Sequence, residues 1–226
     1  DSPTATRPGF RLACQYAANQ NHDIFHVDLK TAFLQGEQFD DSRDVVCQLP
    51  PEAGYPPHIG ARMKKPAYGL NDAPRRWWNI IDTSLRKYGL VPTRADRCTY
   101  VLYSDKRSTA TAVKAKVHKF TDITSTVDAA IDYLTDPISG SQAKDRATAG
   151  LVCLHVDDLF MCGDSEFVER VYKPLIKDYK VGSEDINNVE FVGQRVRWNA
   201  ASPESGNRPY ISVDQNKNID SLSEIN

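Results

Sequence analysis

Apolar residues recur at helical spacing in several stretches of the chain. The clearest stretch lies at 73–88, where Trp77, Ile81 and Leu85 fall on one face and Gly89 follows as a C-cap. A shorter pattern lies near the beginning of the chain and ends before a polar run. Helices are predicted within 3–20, at 73–88, at 165–178 and at 214–224.

Short runs of β-branched and aromatic residues predict the strands. Residues 23–29 alternate between polar and apolar positions and end near Asp28. From residue 150 the apolar density returns as two runs on either side of 155–158, which predicts two strands joined by a turn. Further strands are predicted at 45–49, 99–103, 189–198 and 209–213.

The order of these elements predicts an α+β fold, in which an antiparallel sheet carries helices packed on one face. Residues 104–148 interrupt the pattern, because they are small and polar and have several Lys and Arg residues. We expect them to form a surface insertion with a short helix at 127–134, since loops that cannot bury apolar area stay on the surface. Their basic residues could contact phosphates, but a solvated loop is the simpler interpretation. The insertion would divide the chain into 1–103, 104–148 and 149–226.

Composition limits the classes of protein that remain. Hydrophobic residues make up 40% of the chain, which is enough for a core and argues against wholesale disorder. The net charge of −2 does not suit a domain that global charge holds on nucleic acid.

The five cysteines form no C-x-x-C pair, so we expect an intracellular, reducing compartment. The chain begins without a signal-peptide pattern or an initiator Met, and none of its apolar runs is long enough to span a membrane. We therefore expect a fragment or a processed product.

Two adjacent carboxylates lie at the tip of the predicted hairpin. Asp157 and Asp158 are flanked by apolar strands, and two such charges repel each other unless a cation lies between them. A polar turn without any ligand is the alternative, since Asp is common in turns.

A third carboxylate, Asp28, also ends an apolar strand. Three carboxylates at neighbouring strand ends would form an oxygen site of the kind that Mg²⁺ prefers. Two such ions about 4 Å apart can stabilise the attacking and leaving oxygens of phosphoryl transfer. The alternative for Asp28 is an N-cap of the next helical turn.

Five motifs in order resemble the reverse transcriptases of copia-type LTR retrotransposons. HVDLKTAFLQGE resembles the family's first catalytic segment, KKPAYGLNDAPRRWW its L-Y-G-L-K-Q-A-P-R-x-W run, and CLHVDDLFMCGD its Y-V-D-D hairpin. VEFVGQRVRW resembles the F-L-G strand of the primer-gripping region, and SPTATRPGFRLACQYAANQ the helix before the first Asp. The resemblance covers nearly the whole chain except 104–148.

This resemblance implies a right-hand polymerase palm with a two-metal mechanism, whose catalytic and metal-binding residues would be Asp28, Asp157 and Asp158. The cofactor would be Mg²⁺ or Mn²⁺, bound together with the nucleotide and the template-primer. Phe33 takes the place of the bulky residue that excludes a ribose 2′-hydroxyl, unless it is a plain core residue. The residues implied to line the nucleotide pocket are Phe33, Tyr68, Gly69 and Arg75, and those implied to contact the primer are His155, Phe191 and Gly193.

The chain also departs from the family pattern. His155 replaces the usual Tyr beside the paired acids, and Asn71 and Asp72 replace the usual Lys-Gln. The fingers and thumb of the polymerase are expected to be largely missing, so the isolated chain should polymerise poorly even with its carboxylates intact.

The function expected from the resemblance is RNA-directed DNA synthesis, with an RNA or DNA template-primer and deoxynucleoside triphosphates as partners of the parent enzyme. The alternative is a decayed or domesticated fragment without catalysis, which serves as a structural or interaction subunit of a protein complex. A third possibility, an Asp-based phosphatase or phosphoacceptor, would require a parallel sheet with Asp28 as nucleophile.

Overall fold

The fold, taken from a computed structural model, is described for residues 3–40, 42–107, 146–199 and 208–215. The helices are α1 (Arg7–Gln20), α2 (Ala73–Lys87) and α3, which runs through Ser165–Phe167, a π-helical turn at Val168–Tyr172, and Lys173–Asp178. The strands are β1 (Ile24–Leu29), β2 (Val46–Gln48), β3 (Gly60–Arg62), β4 (Leu90–Pro92), β5 (Thr99–Arg107), β6 (Arg146–His155), β7 (Asp158–Gly163), β8 (Val181–Ile186), β9 (Asn188–Phe191), β10 (Gln194–Asn199) and β11 (Tyr210–Asp214). Short 3-10 turns lie at Ala32–Gln35 and Pro51–Ala53.

The main sheet has six strands in the order β4-β5-β6-β7-β1-β8, and all of its pairings are antiparallel. The β6–β7 hairpin predicted around 155–158 is confirmed, and β1 lies between β7 and β8. A three-stranded sheet, β11-β10-β9, and a two-stranded ribbon, β2-β3, complete the strand pairing of the described residues. The antiparallel α+β prediction is therefore confirmed, and a parallel sheet around Asp28 is excluded.

The prediction that the helices pack on one face of the sheet is wrong. Leu159 and Met161 of β7 point into a core shared with α2 and α3, while Phe160 and Cys162 point into a core shared with α1. Residues 149–154 of β6 and 159–163 of β7 are all buried, so both faces of the sheet are apolar there and both need cover. The helix α1 and the β9–β11 sheet supply the second cover.

A buried carboxylate, Asp96, fixes the beginning of α1. Its Oδ2 accepts hydrogen bonds from the Thr6 backbone N–H (2.7 Å), the Thr6 hydroxyl (2.8 Å) and the Thr99 hydroxyl (3.0 Å). Its Oδ1 accepts from the Cys98 N–H at 2.9 Å. Thr6 is in turn the N-cap of α1, because its side chain accepts from the Gly9 N–H at 3.2 Å.

Two details differ from the pattern expected from sequence. The strand predicted at 189–198 is divided into β9 and β10 by a tight turn, in which Val192 and Gly193 have positive φ. The main sheet takes in 104–107 and 146–148, the two ends of the expected insertion, because β5 and β6 remain paired there. The rest of the expected insertion, including the helix predicted at 127–134, lies outside the described residues. So does the helix predicted at 214–224, apart from residues 214–215.

Candidate active site at the strand ends

The three predicted carboxylates lie at one end of the β1–β7 pair. Asp28 and Asp158 are direct partners in the antiparallel ladder. Asp157 lies in the turn before β7, and its carbonyl accepts a hydrogen bond from the Leu29 N–H at 2.9 Å. The structure therefore brings together residues that are about 130 positions apart in sequence.

The negative charges of these acids act on one another. The pKa of Asp28 is raised above its ordinary value, first by burial and then by the negative charges of Asp157 and Asp158. The Tyr68 hydroxyl lies 3.5 Å from Oδ2 of Asp157, at the long limit of a hydrogen bond. The pKa of Tyr68 is also raised, first by partial burial and then by the charge of Asp157.

Two local features hold the acids in place. The carbonyl of Val156 accepts a hydrogen bond from the indole N–H of Trp77 in α2 at 2.8 Å, although Val156 has a φ of 60°. Such a backbone angle is strained for a β-branched residue and persists only where the surroundings enforce it. Beside β1, a Cβ on Gly182 would lie 2.4 Å from Oδ2 of Asp28, so a larger residue there would displace this carboxylate from its observed position.

The residues predicted for a nucleotide pocket are only partly grouped. Phe33 lies in the turn after β1, is buried, and packs with its ring centroid 4.5 Å from that of Tyr68. Gly69 follows with a φ of 97°, in the region that favours glycine. Arg75 lies in the first turn of α2, with its guanidinium 5.5 Å from the centroid of the Trp78 ring.

The residues predicted to contact a primer form a second group beside the acids. His155 pairs with Asp158 in the hairpin, and its ring centroid lies 6.4 Å from that of Phe191. Phe191 is 3% exposed and packs in the core against Phe10 and Phe160. Its burial leaves the β9–β10 turn and the partly exposed His155 as the accessible parts of this group. A cavity of about 250 Å³ lies between that turn, His155 and the segment before α1.

Comparison with known proteins shows the family to which the chain belongs. Residues 1–115 match the model of the family described as "Reverse transcriptase (RNA-dependent DNA polymerase)". The chain belongs to this reverse transcriptase family. The match covers half of the chain and includes Asp28, Tyr68 and the beginning of α2.

Similar curated proteins are plant transposon products, which confirms the resemblance to the copia-type reverse transcriptases. The chain is 29% identical over 101 residues to the retrovirus-related Pol polyprotein from transposon TNT 1-94 of Nicotiana tabacum. It is 31% identical over 104 residues and 30% identical over 109 residues to those from transposons RE2 and RE1 of Arabidopsis thaliana. These alignments cover 44–46% of the chain but 7% of each relative.

One departure of this reverse transcriptase chain from the family pattern has a structural explanation. Asp72, which adds a negative charge before α2, forms ion pairs with Arg43 and Arg76, both at 2.7 Å. The guanidinium carbons of both arginines also lie near the centroid of the Phe39 ring, at 4.9 and 5.3 Å. Two positive charges therefore surround the one carboxylate, and Asp72 attaches the loop that contains Phe39 and Arg43 to α2.

Sequence reasoning missed His26 as a residue of the site. His26 is 5% exposed, and its Nε2 lies 3.1 Å from Oδ1 of Asp158. Its Nδ1 lies 3.6 Å from Oδ2 of Asp185 in β8. Burial lowers the pKa of His26, but the hydrogen bond with Asp158 and the negative charges of Asp158 and Asp185 outweigh it and raise the pKa above its ordinary value. The available signal was that His26 precedes Asp28 by two residues, which places both side chains on the same face of the strand.

The carboxylates of this reverse transcriptase chain offer the oxygen donors that Mg²⁺ or Mn²⁺ prefers. Among the described residues, however, no group of three or more His, Cys, Asp or Glu side chains is positioned so that it could hold a metal ion. The Asp158 carboxylate is directed towards His26, and the Asp157 carboxylate lies next to the Tyr68 hydroxyl.

In the part of the chain that the structure describes, no helix has the length and apolar character to cross a membrane.

Proposed function

We propose that this chain is the palm of an RNA-directed DNA polymerase, in which Asp28, Asp157 and Asp158 bind two divalent cations, Mg²⁺ or Mn²⁺. One observation carries the proposal: Asp28 and Asp158 are paired across β1 and β7, while the charges of Asp157 and Asp158 act on Asp28. Like charges this close are costly unless a cation neutralises them.

The side chains around the acids have roles that follow from their contacts. When bound, the cations would stabilise the attacking 3′-oxygen and the leaving pyrophosphate oxygen during nucleotidyl transfer. Tyr68 steadies Asp157 through its hydroxyl, and its exposed ring extends the apolar surface of Phe33. Trp77 fixes the turn before Asp157 through its hydrogen bond to the Val156 carbonyl, and Gly182 leaves room for the Asp28 carboxylate.

The substrates would be deoxynucleoside triphosphates and a primed RNA or DNA template. Phe33 and Tyr68 would then form the wall beside the sugar, and the β9–β10 turn with His155 would lie against the primer. The whole relatives are polyproteins of which the chain matches 7%, so activity of a complete polymerase belongs to this proposal as well.

Binding of Mn²⁺ tests the metal site directly. Titration followed by electron paramagnetic resonance, with dTTP present, compares the chain with Asp28→Asn and Asp157→Asn. We expect both variants to lose most of the bound Mn²⁺. Asp44→Asn is the matched control, because Asp44 is an exposed acid paired with Arg62 and should leave binding unchanged. Equal Mn²⁺ binding by the chain and both site variants would overturn the proposal.

Primer extension distinguishes a polymerase from the alternative of a non-catalytic subunit. The chain is incubated with a primed template, dNTPs and Mg²⁺ or Mn²⁺, beside a control that combines Asp157→Asn with Asp158→Asn. Extension that disappears in the control assigns polymerase activity to the chain itself. Specific Mn²⁺ binding without extension supports the metal site in a chain that needs further parts. The absence of both favours the structural subunit.

A further inference from the structure

His26 links the two strands on either side of β1. Because β1 lies between β7 and β8, a side chain of β1 can reach acids on both neighbours. The His26 ring does so, with Asp158 of β7 at 3.1 Å from Nε2 and Asp185 of β8 at 3.6 Å from Nδ1. The ring is almost fully enclosed, since 5% of the residue is exposed.

We propose that His26 is a positioning residue for the third carboxylate: its Nε2–H donates to Oδ1 of Asp158 and fixes the orientation in which Oδ2 is presented to a cation. This inference rests on the proposed function, because it assigns a role to His26 only if Asp158 belongs to the metal site. Asp185 faces the other ring nitrogen at 3.6 Å, so that acids of both neighbouring strands flank His26.

The need for such a contact follows from the charges nearby. Asp158 is 29% exposed in its side chain and is adjacent in sequence to Asp157 and opposite Asp28. Repulsion from both acids would turn a free carboxylate towards solvent. A buried donor opposes that rotation, since its ring is packed in the sheet opposite Phe160 and has little freedom of its own.

The contact also explains why a polar ring lies in the interior here. A buried imidazole is costly unless it is hydrogen-bonded, and an apolar side chain would fill the position without that cost. Residues behind metal ligands that fix ligand orientation commonly change metal affinity by about 10–100-fold when they are replaced. His26 has the geometry of such a residue, although its partner is a carboxylate.

The test uses two replacements of similar size that differ in hydrogen bonding. His26→Met removes the donor, while His26→Gln retains an N–H near the position of Nε2. We expect His26→Met to weaken Mn²⁺ binding about 10–100-fold, measured by electron paramagnetic resonance, and His26→Gln to retain most of it. His58→Leu, at an exposed histidine, should leave the affinity unchanged. Circular dichroism at the assay temperature verifies that each variant is folded.

A double-mutant cycle separates positioning from a general effect on folding. If His26 acts through Asp158, His26→Met should cause no further loss of Mn²⁺ affinity in an Asp158→Asn background. Asp185→Asn, at a half-exposed position that does not endanger the fold, should weaken binding in the same direction but less.

The outcomes distinguish this inference from the proposed function. Mn²⁺ binding that depends on Asp157 but is equal in His26→Met, His26→Gln and the unmodified chain overturns the role of His26 alone. Equal losses in His26→Met and His26→Gln, or additive losses in the cycle, also overturn it. Binding that does not depend on Asp28 or Asp157 overturns the proposed function, and this inference with it.

Discussion

Replacing Asp96 by Asn should destabilise the protein far more than the loss of one surface charge would. The Asp96 carboxylate accepts four hydrogen bonds, of which two come from the backbone N–H groups of Thr6 and Cys98. Those two N–H groups donate to different oxygens. Whichever way an Asn amide is turned, one of them loses its acceptor and faces an NH₂ group instead.

The magnitude follows from that orphaned group. A buried N–H without a partner costs about 1–3 kcal/mol, and the remaining bonds lose the extra strength of a charged acceptor, roughly 1 kcal/mol in total. We therefore expect the free energy of unfolding to fall by about 2–4 kcal/mol. For a chain of this length that corresponds to a decrease in Tm of roughly 5–15 °C.

Urea unfolding followed by circular dichroism measures the difference. Asp44→Asn is the control, since Asp44 and Arg62 form an exposed ion pair at 3.0 Å and its loss should cost less than about 1 kcal/mol. Equal destabilisation by the two variants, or a loss below about 1 kcal/mol for Asp96→Asn, would refute the reasoning that the network around Asp96 anchors α1.

Three further predictions concern packing, thiol reactivity and pH. Gly150→Ala should lower Tm because its Cβ would lie 2.3 Å from the ring of Phe167, and pairing it with Phe167→Leu should recover part of the loss in a thermal melt. Cys153, whose pKa burial raises, should resist iodoacetamide in the folded protein while the half-buried Cys47 reacts, as mass spectrometry would show; equal labelling contradicts this. A hydrogen bond from Arg76 lowers the pKa of Asp72 and outweighs the opposite effect of partial burial. The contribution of ionised Asp72 to stability is therefore complete above the ordinary Asp pKa of about 4 and is lost as pH falls through the lowered pKa. The stability difference from Asp72→Asn should therefore shrink in urea titrations below about pH 4, and a constant difference would contradict it.

The elements that sequence predicted well are those with strong local patterns. The α2 helix and the β6–β7 hairpin have long, regular apolar patterns, and their existence is confirmed. The arrangement of helices on one face was wrong because the apolar run 151–154 is buried from both sides, and a run without alternation does not reveal how each face is covered.

Residues whose roles depend on distant partners could not be predicted locally. Asp96 lies in a polar stretch and looks like a turn residue, yet its partner Thr6 is 90 positions away. A single His in an apolar strand is usually a core residue, so the position of His26 two residues before Asp28 was a weak signal until the strand order placed it between Asp158 and Asp185. The carboxylates became candidates because their motifs are specific, not because their spacing required a site.

The hydrogen bond between Trp77 and the Val156 carbonyl means that the site is specified from the interior of the fold as much as from its rim. The peptide group that receives this bond immediately precedes Asp157, and Trp77 is 1% exposed within α2. The helix is thus bonded directly to the hairpin tip, and we expect a shift of α2 to move the backbone next to Asp157 as well. Substitutions in the buried face of α2 should accordingly change the position of the acids as well as the packing of the core, although the residues of that face are not exposed to solvent.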